Sequence, residues 1–202
     1  MENNIEKIEN SSEEKNISPK KKESFWDLIK FAIIAFAIVL PIRMFIAQPF
    51  VVSGESMYPT FHDGEYLIVD EISYLTGEPK RGDVVIFRYP DEPSRFFIKR
   101  IIGLPNETII IDHGQVMILN DDEKKETIIL DEPYINEEFN TVGKYQTGED
   151  EYFVMGDNRN RSSDSRYWGV LPKKLMIGRA FLRLLPLKEI SYMPGAYEST
   201  TK

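Results

Sequence analysis

The sequence predicts a mainly β protein, with antiparallel sheets folded into a sandwich- or barrel-like domain behind one N-terminal transmembrane helix. Three observations predict it: apolar and β-branched runs of strand length recur between residues 66 and 185, Gly/Pro/Asn clusters separate them, and one long apolar stretch precedes them all.

Residues 1–24 are rich in Glu, Lys, Asn and Ser and show no apolar period. Such a composition cannot bury enough surface to offset the entropy of ordering, which predicts a disordered tail. Residues 25–48 form the predicted anchor. Phe31 to Ile42 is uninterruptedly apolar with Pro41 included, and Met44 to Ala47 extends the run past Arg43. As a helix, Phe31–Ala47 measures about 25 Å at 1.5 Å per residue, and Phe25 and Trp26 bring it to bilayer thickness. Trp26 suits an interfacial position, and Arg43 can snorkel. A buried core helix is one alternative, opposed by the polar tail before it and its all-round apolarity; a cleaved leader is the other, but Ile46-Ala47-Gln48-Pro49-Phe50 offers no small-x-small site. Lys20, Lys21, Lys22 and Lys30 precede the span, against Arg43 near its far end. The positive-inside rule then leaves the N-terminal tail cytoplasmic and the chain beyond Gln48 outside.

Residues 49–187 carry the β pattern. The strands expected are Tyr66–Ile72, Val84–Arg88, Phe96–Ile102, Thr108–Asp112, Val116–Leu119, Thr127–Leu130, Tyr152–Met155 and Met176–Leu185. Turn clusters such as Thr76-Gly77-Glu78-Pro79, Leu104-Pro105-Asn106-Glu107 and Asp112-His113-Gly114 punctuate them. A more polar stretch, about 119–151, reads as an inserted hairpin region, and residues 188–202 as a tail frayed over its last dozen positions.

Charge and composition narrow the function. A net charge of −8 over 202 residues argues against nucleic acid, which needs a basic face. The absence of cysteine removes thiol nucleophiles, disulfides and thiolate metal sites. Two histidines, His62 and His113, are too few for a histidine-rich zinc site, and Asp157-Asn158-Arg159-Asn160 fails the EF-hand pattern at its third position. No metal or cofactor is expected, a carboxylate-only metal site being the one alternative left open.

Ser53-Gly54-Glu55-Ser56-Met57-Tyr58-Pro59-Thr60 places a serine in an extended-to-turn segment. It nearly matches the G-x-S-x-G elbow, but the last glycine is missing and no α/β pattern surrounds it. A serine hydroxyl is a poor nucleophile at neutral pH and needs a base. His62 and His113 both sit in turn-like sequence. Lys99 is the better candidate. In Phe96-Phe97-Ile98-Lys99-Arg100-Ile101-Ile102, strand alternation puts Lys99 on one face of an apolar strand and Arg100 on the other. Burial lowers a lysine's pKa: a fall from about 10.4 to about 8 raises the neutral fraction at pH 7 from roughly one in 2,500 to nearly one in ten, at about 3.3 kcal/mol. A snorkelling or ion-paired lysine is the alternative. The segment from Gly156 to Gly169 is dense in Asp, Arg, Asn and Ser directly after an apolar strand, which suits either a solvated loop or a rigid buttress. Two S-x-x-K matches, Ser12–Lys15 and Ser18–Lys21, fall in the predicted disordered tail and are chance.

Taken in order, the anchor, Ser53–Thr60, Arg81-Gly82-Asp83-Val84-Val85-Ile86-Phe87, Lys99-Arg100-Ile101-Ile102-Gly103-Leu104-Pro105 and Gly156–Gly169 resemble the bacterial type I signal peptidases. The resemblance runs from about Phe25 to Pro186, and a single span is similar to the shorter, Gram-positive type. It implies a membrane serine endopeptidase that trims exported precursors carrying small residues before the cleaved bond, with the lipid bilayer and those precursors as partners. It further implies Ser56 as nucleophile, Lys99 as general base and Ser162 orienting the lysine. Asp157, Arg159, Asp164 and Arg166 would shape the surrounding loop, and Met57 would line the pocket. Two departures stand out. Gly54 occupies a position where some relatives carry a serine that joins the oxyanion hole, leaving the Ser56 N–H and a further backbone or water donor. Asn106-Glu107 replaces a frequent Gly-Asp. Self-cleaving repressors share the chemistry but add a DNA-binding domain absent here. A non-catalytic anchored β-domain would instead tolerate Ser56→Ala.

Overall fold

The computed structural model describes residues 25–41, 48–120 and 127–197. The tail at 1–24 and the last residues of the expected span, 42–47, lie outside them.

Helix α1 runs Phe25–Pro41. Its apolar side chains are exposed on all sides, Phe25, Trp26, Phe31 and Phe36 among them. Among the described residues no helix is long and apolar enough to cross a membrane.

The second unit is antiparallel β throughout its described strands. These are β1 (Gln48–Val51), β2 (Tyr66–Asp70), β3 (Val84–Tyr89), β4 (Glu92–Gly103), β5 (Glu107–Asp112), β6 (Gln115–Asn120), β7 (Thr127–Ile129), β8 (Gly143–Gln146), β9 (Glu151–Met155), β10 (Leu171–Pro172), β11 (Met176–Leu185) and β12 (Ser191–Tyr192). The larger sheet is ordered β1-β2-β11-β3-β4-β9-β10, with β12 also on β11; the smaller is β7-β6-β5-β8. Two one-turn helices, α2 (Ser73–Thr76) and α3 (Ser165–Trp168), interrupt them.

Alternation along β3 explains why the larger sheet is buried on both faces. Val84 and Ile86 join one core with Val52, Met57, Phe61, Leu67 and Val69, whereas Val85 and Phe87 join another with Ile101, Tyr152 and Val154. A strand covered on both sides needs an unbroken apolar run, and Val84–Phe87 supplies one. A third core, built on Ile109, Ile111, Val116, Ile118, Phe153 and Met155, lies under the smaller sheet.

All eight expected strands are present, with three differences around them. The first expected strand ends two residues early because the Asp70 carboxylate accepts from the Ser73 N–H at 3.0 Å and turns the chain into α2. The 119–151 region is not an inserted hairpin: β7 and β8 do not pair with each other but flank the β5–β6 hairpin on opposite edges. The stretch after 187 is not frayed as far as it is described, since β12 pairs with β11 and the Met193 N–H donates to the Phe181 carbonyl at 2.8 Å.

Candidate active site

Two segments distant in sequence meet beside a cleft of about 550 Å³. One is the Ser53–Thr60 turn. The loop that carries it is closed by Val52 N–H to the Glu65 carbonyl and Gly64 N–H to the Val52 carbonyl, both 2.9 Å. Gly54 opens the turn at φ +88°, a conformation that a β-carbon would strain, and donates its N–H to Asp63 Oδ1 at 2.7 Å. The other segment is the middle of β4, held in register by Val85 opposite Lys99 and Val84 opposite Arg100.

Lys99 Nζ lies 2.7 Å from Ser56 Oγ and donates to the Ile98 carbonyl at 2.8 Å. The side chain is 4 % exposed, and its amino group sits 5.2 Å from the centre of the Phe97 ring. Among the described residues no carboxylate is ion-paired with it. Burial therefore lowers the Lys99 pKa to about 8, against the weaker upward pull of Asp164 and Asp157. At neutral pH a usable fraction of Lys99 is an amine. With one N–H directed at Ile98, its lone pair can face the Ser56 hydroxyl. That arrangement can take a proton from an attacking serine.

Arg100, one residue on, faces the other way and is 1 % exposed. Its Nε and Nη2 donate to the two Asp157 oxygens at 2.8 and 2.6 Å, and Nη1 donates to the Gly82 carbonyl at 2.9 Å. Asp157 also accepts from Thr60 Oγ1 at 2.5 Å. The next residue, Asn158, donates its N–H to the Ser56 carbonyl at 3.0 Å, so Asp157 ties the serine turn to the strand bearing Lys99.

The Gly156–Gly169 segment is a buttress rather than a solvated loop. Asp164, fully buried, accepts from the Gly156 N–H at 3.0 Å and from Arg166 Nε at 2.7 Å. Arg166 Nη2 donates to the Arg159 carbonyl at 2.7 Å, Arg159 Nε donates to the Gly156 carbonyl at 3.1 Å, and Arg159 also pairs with Glu132. Gly156 leaves no room for a side chain unless its neighbours move: a β-carbon would run into Ser162 Oγ and the Ser56 carbonyl.

Two expectations need correcting. Ser162 is 5 % exposed and lies beside Gly156 and the Ser56 carbonyl, but its hydroxyl has no partner among the described residues; the Lys99 amino group is oriented by Ile98 instead. Met57 is 1 % exposed in the core with Val52 and Phe61, and the cleft is lined without it. The Gly54 N–H is already committed to Asp63, whereas the Ser56 N–H has no acceptor among the described residues.

The rejected histidines are engaged elsewhere. His62 faces Glu65 at 3.3 Å, and His113 faces Asp112 at 2.6 Å on an exposed hairpin tip. His62, Glu65 and Glu189 bring ligand atoms within 4.8 Å of one another, but Arg183 already sits 3.1 Å from Glu65 and 3.0 Å from Glu189. A larger groove of about 860 Å³ near His113 and Phe139 is lined, among the described residues, by no serine, threonine or lysine. Sequence reasoning missed Thr60, Glu132 and the salt bridge of 2.6 Å between Glu55 and Arg161. A strongly apolar strand forced to bury Arg100 was the available signal that a carboxylate must face it.

Comparison with known proteins gives the family. The model of the family described as signal peptidase, peptidase S26, matches residues 25–185. Signal peptidase I of Bacillus licheniformis is 41% identical, over 86% of this chain and 95% of its own. Signal peptidase I of Leptolyngbya laminosa is 37% identical over 89% and 90%. A probable signal peptidase I-2 of Synechocystis is 36% identical over 86% and 82%. A crystal structure of a signal peptidase I from Enterococcus faecalis is 30% identical, covering 50% of this chain and 96% of that one, at a TM-score of 0.43; the fold described above stands without it. By the extent and identity of these matches, the chain belongs to the signal peptidase family, peptidase S26, and is a peptide hydrolase.

Proposed function

We propose that this chain is a membrane-anchored endopeptidase that removes signal peptides from exported precursors, with Ser56 as nucleophile and Lys99 as general base. The observation that carries the reading is the 2.7 Å approach of a buried lysine, lowered to about 8, to a half-buried serine at the edge of a cleft.

Neutral Lys99 takes the Ser56 proton as Oγ attacks the carbonyl carbon of the scissile bond. The tetrahedral oxyanion is met by the Ser56 N–H. As the C–N bond breaks, the lysine ammonium passes its proton to the leaving amine, which departs as the new N-terminus. Lysine, neutral again, deprotonates a water that attacks the ester, and the proton returns to Ser56.

The substrate binds as an added strand. β9 pairs with β4 only from Arg100 onward, so Ser94–Lys99 keeps one free edge facing the cleft. Phe50 and Phe96 meet edge to face at 5.5 Å in its wall. Main-chain hydrogen bonds would supply affinity, and shallow pockets would select small alternate side chains. The run from Phe31 to Ala47 and the lysines before it support an anchor with a cytoplasmic N-terminus and the β unit on the outer face. Ser56 follows Ala47 by nine residues, within about 30 Å of the membrane even if extended.

The test is cleavage of a membrane-inserted precursor by the wild type and by Ser56→Ala. Loss of cleavage in a folded Ser56→Ala protein supports the reading, and retention overturns it.

A further inference from the structure

Behind the site, the segment after β12 crosses the buried arginine. We propose that residues Met193–Tyr197 are a positioning strap for the Ser56–Lys99 pair, an inference that rests on the dyad reading above.

The segment is built into the domain. Met193 is held to Phe181, and the Ala196 N–H returns to the Met193 carbonyl at 3.1 Å. The Tyr197 ring packs edge to face on Tyr134 at 5.6 Å, and its hydroxyl donates to Asp131 Oδ2 at 3.4 Å. Between these fixings the Gly195 carbonyl accepts from Arg100 Nη1. Tyr134 covers the same guanidinium from 3.8 Å, so strap and ring together close it off. The approach is backbone on side chain and backbone on backbone. A β-carbon on Gly195, at φ +73°, would lie 2.6 Å from Thr60 Cγ2 and 3.1 Å from the Phe61 ring, and one on Gly82 would strike the Tyr197 carbonyl.

What the strap touches decides its role. It reaches Arg100 and Thr60, the two residues whose side chains hold Asp157. Asp157 leads into the Asn158 N–H that holds the Ser56 carbonyl, while Arg100 is the strand neighbour of Lys99. None of residues 193–197 lines the cleft. Removing the strap leaves one donor of a buried guanidinium without its acceptor and lets water reach a pair that fixes both members of the dyad. The reacting atoms would then lose alignment while the substrate groove stays whole.

The experiment uses the full-length protein in detergent with a precursor peptide, reading kcat, KM and cooperative melting for a chain stopped after Tyr192 and for full-length Gly195→Val, Tyr197→Ala and Tyr197→Phe. Expected are a fall in kcat of about tenfold or more for the first three with KM within about twofold, and near wild-type kcat for Tyr197→Phe. Wild-type kcat in a cooperatively melting truncation overturns the strap, as does a fall confined to KM. If the truncation does not fold, Gly195→Val and Tyr197→Ala decide by the same criteria. Ser56→Ala in the same assay separates the two readings: activity there sinks the dyad itself, whereas an inactive Ser56→Ala beside a fully active truncation sinks only the strap.

Discussion

Lys99 and Ser56 stand 43 residues apart in the chain and 2.7 Å apart at their reacting atoms, and the lysine's other hydrogen bond goes to the carbonyl of its own neighbour, Ile98. The amino group is thus aimed by its own strand. Because Ser56 and Lys99 would work as one unit, Ser56→Ala and Lys99→Ala should each reduce precursor cleavage to background, and the double variant should be little worse than either. Lys99→Arg should be equally inactive, because a guanidinium cannot act as a base at any working pH. Peptide cleavage kinetics on folded variants check all four, and substantial activity in Lys99→Arg would reduce Lys99 to an electrostatic or packing group.

Activity should follow the protonation of Lys99. With its pKa lowered to about 8, kcat/KM should climb as pH rises through that value and level off above it. A profile flat between about pH 6 and 10 would contradict a titrating lysine of about 10.4 brought down by burial.

Stability should carry the mirror image of that titration. The folded state releases the Lys99 proton near 8 and the unfolded state near 10.4, so between these values the unfolded chain binds more protons and stability rises with pH. Below about 8 the cost of burying the ammonium is carried in full, about 3 kcal/mol at 1.36 per pH unit. Lys99→Met should therefore be more stable than the wild type at pH 7, by up to about 3 kcal/mol, with the gain shrinking toward pH 10. Urea unfolding at several pH values reads this directly, and a gain independent of pH would count against a buried, titrating lysine.

Gly156→Ala should be folded but crippled. Its methyl group would push on Ser162 and on the Ser56 carbonyl, displacing the turn that carries the serine. A shift of the order of 1 Å at the reacting atom costs about 10²-fold in kcat. Near wild-type kcat in Gly156→Ala would mean that the turn moves independently of the buttress.

Arg100→Leu should destabilise by about 3–5 kcal/mol, because it strands the Asp157 carboxylate in the interior. Arg100→Leu with Asp157→Leu should cost clearly less than the sum of the two single changes. Simple additivity in thermal or chemical unfolding would show that the two side chains are not energetically coupled.

Much of this was legible in the sequence, for identifiable reasons. The expected strands are runs of four or more residues in which alternation and β-branching accumulate, as in Val84–Phe87 and Thr108–Asp112. The missed ones carry too little pattern. Leu171–Pro172 and Ser191–Tyr192 are two residues each, Gly143–Gln146 is mostly polar, and Gln48–Val51 merges with the end of the apolar run. Lys99 could be singled out because an ionisable group inside an apolar strand is conspicuous, and Ser56 because its turn sequence resembles a family motif. The roles of Ser162 and Met57 could not, since proximity in a motif does not say which way a side chain turns. Nor does local composition announce the strap: Met193–Tyr197 acts through backbone carbonyls, which every residue has.

The β3–β4 register has a consequence for how such a chain can fail. Lys99 and Arg100 are adjacent cations sent to opposite destinations, one to a serine and one to a carboxylate. The connection that sets them is short, with Tyr89 already opposite Glu92. One residue gained or lost there would invert every side chain beyond it. With one residue lost, the guanidinium would be delivered to the serine and Ile101 to Asp157; with one gained, the amine would meet Asp157 and Ile98 the serine. The shortened protein could keep its β content while holding beside Ser56 a cation that never gives up its proton. The proofreading of that hairpin during folding is thus a condition of catalysis as much as of stability.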